Sequence, residues 1–183
     1  MKVLDRLEEY LIALLMASAT IITVLAVLHR YFSGIAIPYL QDALIAINVS
    51  WAQELTIYLF VWMAKFGAAY GVRSGIHVGV DVLVNRLSLE KQKIFVLISL
   101  GSGALFTGII GTLGANFVHH MAMTEQTSAD LEIPMWLVYL AIPIGSYLMC
   151  FRFLQVAWNF VRTGEVPKHD HTHVEGIDKE VQL

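Results

Sequence analysis

The chain has a single cysteine, Cys150, which lies inside an apolar run. An internal disulfide is therefore excluded, and so is a paired-cysteine redox or zinc motif. Charge is also scarce: only 15% of the 183 residues are Asp, Glu, Lys or Arg, whereas about a quarter is usual in soluble domains. The twelve Lys and Arg residues are dispersed and the net charge is -3, so we expect no nucleic-acid partner.

Catalytic signatures are missing as well. The sequence has no Gly-rich phosphate loop, no HExxH-type metal motif and no nucleophile elbow. We therefore expect that the chain is not an enzyme and has neither catalytic residues nor a metal site. Self-contained secondary carriers usually show an internal repeat with interrupted helices. No such repeat is found, which argues against a stand-alone carrier.

Apolar residues dominate instead, at 57% of the chain with a mean hydropathy of +0.64. A helix needs roughly 20 mostly apolar residues to cross the bilayer core. Four segments meet that requirement, at 10–30, 51–72, 94–118 and 133–160. The sequence thus predicts an all-α membrane protein in which residues 1–162 form a four-helix membrane domain. Residues 163–183 have too few apolar side chains to pack and are predicted to be a disordered tail.

Basic residues fix the predicted orientation. Two Lys or Arg residues precede the first span and four lie between the second and third spans. Four more, from Arg152 onwards, follow the uncharged part of the fourth span, which ends at Phe151. The connections on the other side contain only Arg30, and Lys65 lies within a span. Because Lys and Arg are retained in cytoplasmic loops, we expect both termini in the cytoplasm.

Two connections have amphipathic patterns typical of short interfacial helices. Leu40, Leu44 and Ile47 share one face of the first outer connection. On the cytoplasmic side a polar stripe recurs every four residues, which favours a helix anchored at the inner membrane surface. That stripe consists of Arg73, His77, Asp81 and Asn85.

Local signals mark the ends and the shape of two spans. Ser50 followed by Gln53 predicts a capping box at the start of the second span. Pro143 falls in the middle of the fourth span and leaves the carbonyl one turn earlier without its partner. We expect a kink there, covered by a neighbouring helix.

Two charged residues lie within the second span. Glu54 and Lys65 are eleven residues apart and share a face, but about 16 Å of helix separates them, so they cannot pair. An ion at mid-membrane costs about 2.5–3.5 kcal/mol on insertion scales. Each therefore reaches the interface, with Lys65 snorkelling, or contacts another subunit; the sequence leaves both alternatives open.

Small residues recur along the second and third spans. Rows of this kind let helix backbones approach closely. They serve either packing within the chain or docking of a second membrane protein, and spacing does not separate the two. The rows contain Gly67, Gly71, Gly75 and Gly79, and then Gly101, Gly108, Gly111 and Gly114.

Histidines leave one further alternative. His29 with His119 or His120 could form an axial pair for haem, although haem ligands usually lie deeper within a bundle. A haem-binding electron carrier is therefore kept as the second interpretation. The alternating histidines of the tail are expected to be solvated rather than metal ligands; they are His169, His171 and His173.

Five short stretches carry a resemblance to a known family: Trp51-Ala52-Gln53-Glu54-Leu55, Val61-Trp62, the run from Gly67 to Asp81, Ile133-Pro134-Met135-Trp136 and Ile142-Pro143-Ile144-Gly145. They resemble the small membrane subunit, the DctQ type, of tripartite ATP-independent periplasmic (TRAP) transporters. The resemblance covers nearly the whole chain except the tail.

The resemblance implies a scaffold subunit in the bacterial inner membrane without a cofactor or substrate site of its own. Its expected partners are a large membrane subunit that uses a sodium gradient, a periplasmic substrate-binding protein and membrane lipids. The amino-acid sequence of the fourth span, with the segment from Arg152 to Gly164, is most similar to family members that serve the transport of C4-dicarboxylates. A sialic-acid system is the alternative.

The resemblance also extends to individual residues. Trp51 and Glu54 are predicted to face the large subunit near the periplasm, while the Arg73, His77 and Asp81 stripe contacts lipid headgroups or that subunit. The full set of predicted subunit-interface or lipid-anchoring residues is Trp51, Glu54, Lys65, Gly67, Gly71, Arg73, Gly75, His77 and Asp81.

Overall fold

A computed structural model describes residues 2–35, 37, 39–75 and 89–164 of the chain. These residues form six helices: α1 (Lys2–Ser33), α2 (Leu40–Ile45), α3 (Ser50–Ser74), α4 (Leu89–Met123), α5 (Met135–Tyr139) and α6 (Ala141–Thr163). Within the described ranges the only β-type pairing is one isolated bridge between Thr127 and Pro134. The all-α prediction is confirmed.

Four helical stretches are long and apolar enough to cross a membrane. They are Arg6–Ser33, Ser50–Ser74, Lys91–Met123 and Met135–Thr163. The first three contain their predicted spans completely, and the fourth begins at Met135, two residues after its predicted start. The chain is thus a multi-pass membrane protein with four membrane-spanning helices.

The helices pack in the order α1, α3, α6, α4. α3 and α6 lie in the middle, with α1 against α3 and α4 against α6. One end of the assembly, here called the terminal end, contains the start of α1 and the end of α6. The other, here called the loop end, contains α2, α5 and the connection at 124–134. At the terminal end a buried cluster joins α3, α4 and α6, formed by Val72, Val96, Leu100, Ala104, Phe153, Val156 and Phe160.

Glycines of α4 allow α6 to approach closely. A methyl group built on Gly103 would lie 2.8 Å from the Phe153 ring, and one on Gly111 would lie 2.9 Å from the Tyr147 ring. Gly114 is equally tight against α6, with Ile142 Cγ2 at 2.8 Å from such a methyl group. Much of the small-residue row of α4 therefore serves packing within the chain, whereas Gly67 and Gly101 face open space.

The fourth span is broken one turn before Pro143. α5 ends at Tyr139 and α6 begins at Ala141, with Leu140 between them. Proline has no amide hydrogen to donate to the carbonyl four residues earlier, at Tyr139, so the ladder is interrupted there. Pro143 is buried, and α4 covers the break, because Phe117 packs edge-on against Tyr139 with ring centroids 5.0 Å apart. The helix is thus interrupted where the kink was predicted, while Leu140 keeps right-handed helical angles of φ −55° and ψ −24°.

The structure corrects one local prediction and confirms another. α3 begins at Ser50, but it has no side-chain cap hydrogen bond, so the capping box with Gln53 was wrong. Instead, the Ser50 amide donates to Asn48 Oδ1 at 3.0 Å. Asn48 lies two residues before Ser50, and its side chain accepts this hydrogen bond within a local turn. The short helix predicted in the first outer connection is α2.

Some predicted features lie outside the described residues. These are the interfacial segment after Gly75, with His77, Asp81 and Asn85, and the tail from residue 165 onwards, with its histidines. The chain leading to the first of them is described: α3 ends at Ser74 and is capped by Gly75, whose φ of 84° is the left-handed conformation that glycine adopts most easily.

Candidate functional site

Glu54 ties α3 to the connection that precedes α5. Its Oε2 accepts hydrogen bonds from the backbone amides of Asp130 at 2.8 Å and Leu131 at 3.0 Å. Its Oε1 accepts from the hydroxyl of Tyr58, one turn further along α3. That hydroxyl also lies 3.8 Å from Met135 Sδ at the start of α5. The intramembrane carboxylate predicted from the sequence thus has a partner set within its own chain.

The 124–134 connection is a tight, internally bonded loop. The Ser128 amide donates to the Ile133 carbonyl at 2.8 Å, and the Met135 amide donates to the Gln126 carbonyl at 2.8 Å. Glu125 and Glu132 adopt positive φ angles of 50° and 54°. Such conformations cost about 1–3 kcal/mol each in residues other than glycine and persist only where the surroundings hold them. Glu54 supplies part of that restraint from the neighbouring helix.

A buried ion pair joins α1 to α6 nearer the terminal end. Arg152 Nη2 and Nε donate to Glu8 Oε1 at 2.7 and 3.0 Å, and Nη1 donates to Gln155 Oε1 at 2.7 Å. Arg152 is 0% exposed and Glu8 only 2%. Glu8 Oε2 is also buried and has no hydrogen-bond partner among the described residues. Since a lone buried charge is costly, each side chain depends on the other.

A second ion pair joins α1 to α3 beside the first. Arg73 Nη2 donates to Glu9 Oε1 at 2.7 Å, with the two side chains 21% and 50% exposed. The Arg73 guanidinium also lies over the Tyr70 ring, 4.7 Å from its centroid. Two adjacent carboxylates of α1 therefore reach two different helices, and together they hold α1 against the α3–α6 pair.

Lys65 lies in the middle of α3, where the helix contacts α6. A methyl group on Gly145 would come within 2.5 Å of Lys65 Cβ, so the lysine stem rests on the glycine backbone of α6. The side chain is half-buried. Within the described part of the chain its ammonium forms no hydrogen bond or ion pair. Its predicted contact with another subunit stays a prediction.

The remaining predicted interface residues occupy different environments. Trp51 is 39% exposed at the start of α3. Gly71 is buried, whereas a methyl group placed on Gly67 would meet no neighbouring atom within 4 Å. Gly75 ends α3. The structure therefore does not gather these residues, or Glu54 and Arg73, into one site.

Sequence reasoning missed the two ion pairs and the role of Tyr58. Arg152 counts in the sequence as a flanking positive charge, yet it lies in the middle of α6 with eleven helical residues after it. A charge inside a span requires a partner, and that signal was available. Glu8 precedes the first predicted span, 10–30, where a charged side chain is expected to reach water and needs no partner. Which acid pairs with Arg152 could not be deduced without the packing of α1.

The histidines considered for haem are separated by the packing order. His29 Nε2 lies 3.0 Å from the Leu44 carbonyl and connects α1 to α2. His119 and His120 lie on α4, which packs against α6. Within the described ranges no group of three or more His, Cys, Asp or Glu side chains could hold a metal ion.

Comparison with known proteins gives consistent matches. The family described as "Tripartite ATP-independent periplasmic transporters, DctQ component" matches residues 19–163. A protein of Rhodobacter capsulatus named C4-dicarboxylate TRAP transporter small permease protein DctQ is 58% identical over 98% of this chain and 87% of its own length. Proteins of the same name from Vibrio cholerae and Pseudomonas aeruginosa are 30% and 28% identical, over 90% and 88% of this chain and 75% and 85% of their own lengths.

No solved structure gives a significant match to this chain. The family match covers most of the four-helix region, including Glu54, Tyr58, Arg73 and Arg152. Together with the 58% identical relative, it confirms the family that the resemblance indicated. The chain belongs to the family of small membrane subunits, the DctQ components, of tripartite ATP-independent periplasmic transporters.

Proposed function

We propose that this subunit is a rigid scaffold in the bacterial inner membrane that supports a large membrane subunit during uptake of C4-dicarboxylates. The large subunit moves the substrate with a sodium gradient, and a periplasmic binding protein delivers it. The substrate class rests on the names of the three relatives. A sialic-acid system, which the sequence left open, is the second candidate; one relative, 27% identical over 61% of the chain, is named for sialic acid.

The scaffold function is supported by the contacts that charged side chains of the helices make within the chain. Glu54, Glu8 and Arg152 all engage partners within the chain and connect one helix to another element. A transporting subunit needs polar groups that exchange partners with a substrate or ion. Here these groups fix the helices to one another, which suits a support that stays still while another subunit moves.

The proposed orientation places the terminal end in the cytoplasm. Among the described residues, Arg30 is the only Lys or Arg at the loop end, whereas Arg6, Lys91, Lys93 and Arg162 lie toward the terminal end. The positive-inside bias supports this assignment. It predicts that a cysteine placed at the exposed Ala129 reacts with an impermeant thiol reagent in intact cells and one placed at the exposed Thr163 does not, in a Cys150→Ala background.

The docking face for the large subunit is proposed along α3. Ala64 is exposed and lies one turn before Gly67, which leaves room for a close approach. Gly67→Leu should therefore prevent association with the large subunit without disturbing the fold. Gly101→Leu on α4 is the matched control, because its added side chain also meets open space. Equal association of both variants with the large subunit would reject this face.

Uptake in cells tests the function itself. A strain lacking this chain should lose accumulation of labelled succinate, fumarate or malate, and should regain it only with the wild-type chain. Labelled sialic acid is measured in parallel. Uptake of dicarboxylate that persists without the chain would contradict the proposal, and dependence of sialic acid uptake alone would favour the second candidate.

A further inference from the structure

An open groove lies between α1 and α3 at the loop end. It encloses about 690 Å³, which is within the range of about 300–1,000 Å³ typical of small-molecule sites. α2 borders it through Ile45, and the hydrogen bond from His29 to the Leu44 carbonyl holds α2 in place. The groove is therefore built by three helices and a fixed connection.

The part of the groove farthest from the loop end presents mainly apolar surface to a ligand. Its exposed walls include Val27, Ile57 and Phe60, which are 45%, 52% and 43% exposed. Thr23 and Thr56 also line it, but each hydroxyl already donates to a carbonyl of its own helix at 2.8 Å. Neither threonine has a hydrogen left to donate, so this part of the groove suits hydrocarbon.

The rim of the groove is polar and positively charged. Arg30, Ser33, Ser50 and Gln53 line it toward the loop end. The Arg30 side chain is exposed, and among the described residues its guanidinium takes part in no hydrogen bond or ion pair. Seven residues, or about 10 Å of helix, separate Arg30 from Thr23 and likewise Gln53 from Phe60. The groove thus passes from a cationic rim to an apolar floor along the helix axes.

We propose that this groove binds one glycerophospholipid, with its phosphate at Arg30 and an acyl chain along Val27, Ile57 and Phe60. The lining fits an amphiphile with an anionic head and a hydrocarbon tail. Arginine pairs readily with phosphate through its fork of N–H donors, and the Ser50 and Gln53 side chains supply further donors for head-group oxygens. The Ser33 hydroxyl already donates to the His29 carbonyl at 2.7 Å. The site goes beyond the proposed scaffold function and does not depend on the substrate.

Photo-crosslinking of the full-length chain tests the proposal. The purified protein is reconstituted in phosphatidylethanolamine vesicles containing a minor fraction of phosphatidylglycerol with a diazirine on its acyl chain. After illumination, labelled residues are identified by mass spectrometry. We expect label concentrated at Val27, Ile57 and Phe60, with unlabelled phosphatidylglycerol competing and diacylglycerol, which has no phosphate, competing poorly. Soluble glycerol phosphate should not compete, because it has no acyl chain.

Two variants and a control separate a specific site from general contact with lipid. Arg30→Gln should lower groove labelling by about fivefold, as expected for loss of one exposed charge-assisted contact. Ala26→Phe should lower it by filling the groove while leaving Arg30 in place. Arg162→Gln removes an exposed arginine at the terminal end and should leave it unchanged. Thermal unfolding confirms that each variant is folded.

Three outcomes would overturn the proposal. The first is equal labelling of other exposed apolar residues, such as Leu14 and Leu105. The second is labelling of the groove that Arg30→Gln does not alter. The third is loss of groove labelling when the large subunit is present in the vesicles, which would mean that a protein segment and not a lipid occupies the groove.

Discussion

Removing the charge of Glu8 should destabilise the protein far more than removing that of Glu9. Glu8→Gln leaves the fully buried Arg152 guanidinium without its carboxylate. Breaking a buried pair costs about 3–5 kcal/mol, and because glutamine keeps a carbonyl acceptor we expect about 3 kcal/mol. Glu9→Gln breaks the partly exposed pair with Arg73, and such pairs contribute about 0.2–1 kcal/mol.

The two variants form a matched pair, because the residues are adjacent on α1 and their chemistry is the same. The free energy of unfolding is measured by reversible SDS titration in mixed micelles. A third variant, Glu8→Leu with Arg152→Met, replaces the pair by apolar side chains and should be more stable than Glu8→Leu alone. If Glu8→Gln and Glu9→Gln differed by less than about 0.5 kcal/mol, the reasoning from burial would be refuted.

Further predictions concern the loop and the helix contacts. Glu54→Ala removes the acceptor for the Asp130 and Leu131 amides, so hydrogen exchange at both amides should accelerate. Glu125→Ala, the control, should leave their exchange rates unchanged. Equal exchange rates in the two variants would contradict the role of Glu54. Gly145→Ala places a methyl group 2.5 Å from Lys65 Cβ and should lower the thermal unfolding temperature, and Gly101→Ala, which meets open space, should not. Similar temperatures for the two would show that α3 and α6 are not so closely packed.

The four helices were predictable because their signal is local. The roughly 20 apolar residues of a span follow one another in the sequence, and Gly75 and Pro143 mark where helices end or break. The family was also accessible, since its motifs lie in short stretches around Trp51 and Gly67. These features require no knowledge of how one helix packs against another.

The contacts between helices were not predictable in the same way. Spacing placed Glu54 near the outer end of its helix, but its partners, Asp130 and Leu131, are backbone amides more than seventy residues away. Amides carry no side-chain signal in the sequence. Likewise, the glycine row of α4 could face inward or outward by spacing alone, and only the positions of Phe153 and Tyr147 show that much of it faces α6.

The most direct test of the scaffold function is co-purification of the tagged chain from its native membrane in a mild detergent, with mass spectrometry of the proteins that accompany it. We expect one large polytopic membrane protein in a fixed ratio with the wild-type chain and the Gly101→Leu variant, and its loss with Gly67→Leu. Recovery of the wild-type chain alone across several mild detergents would contradict the scaffold function.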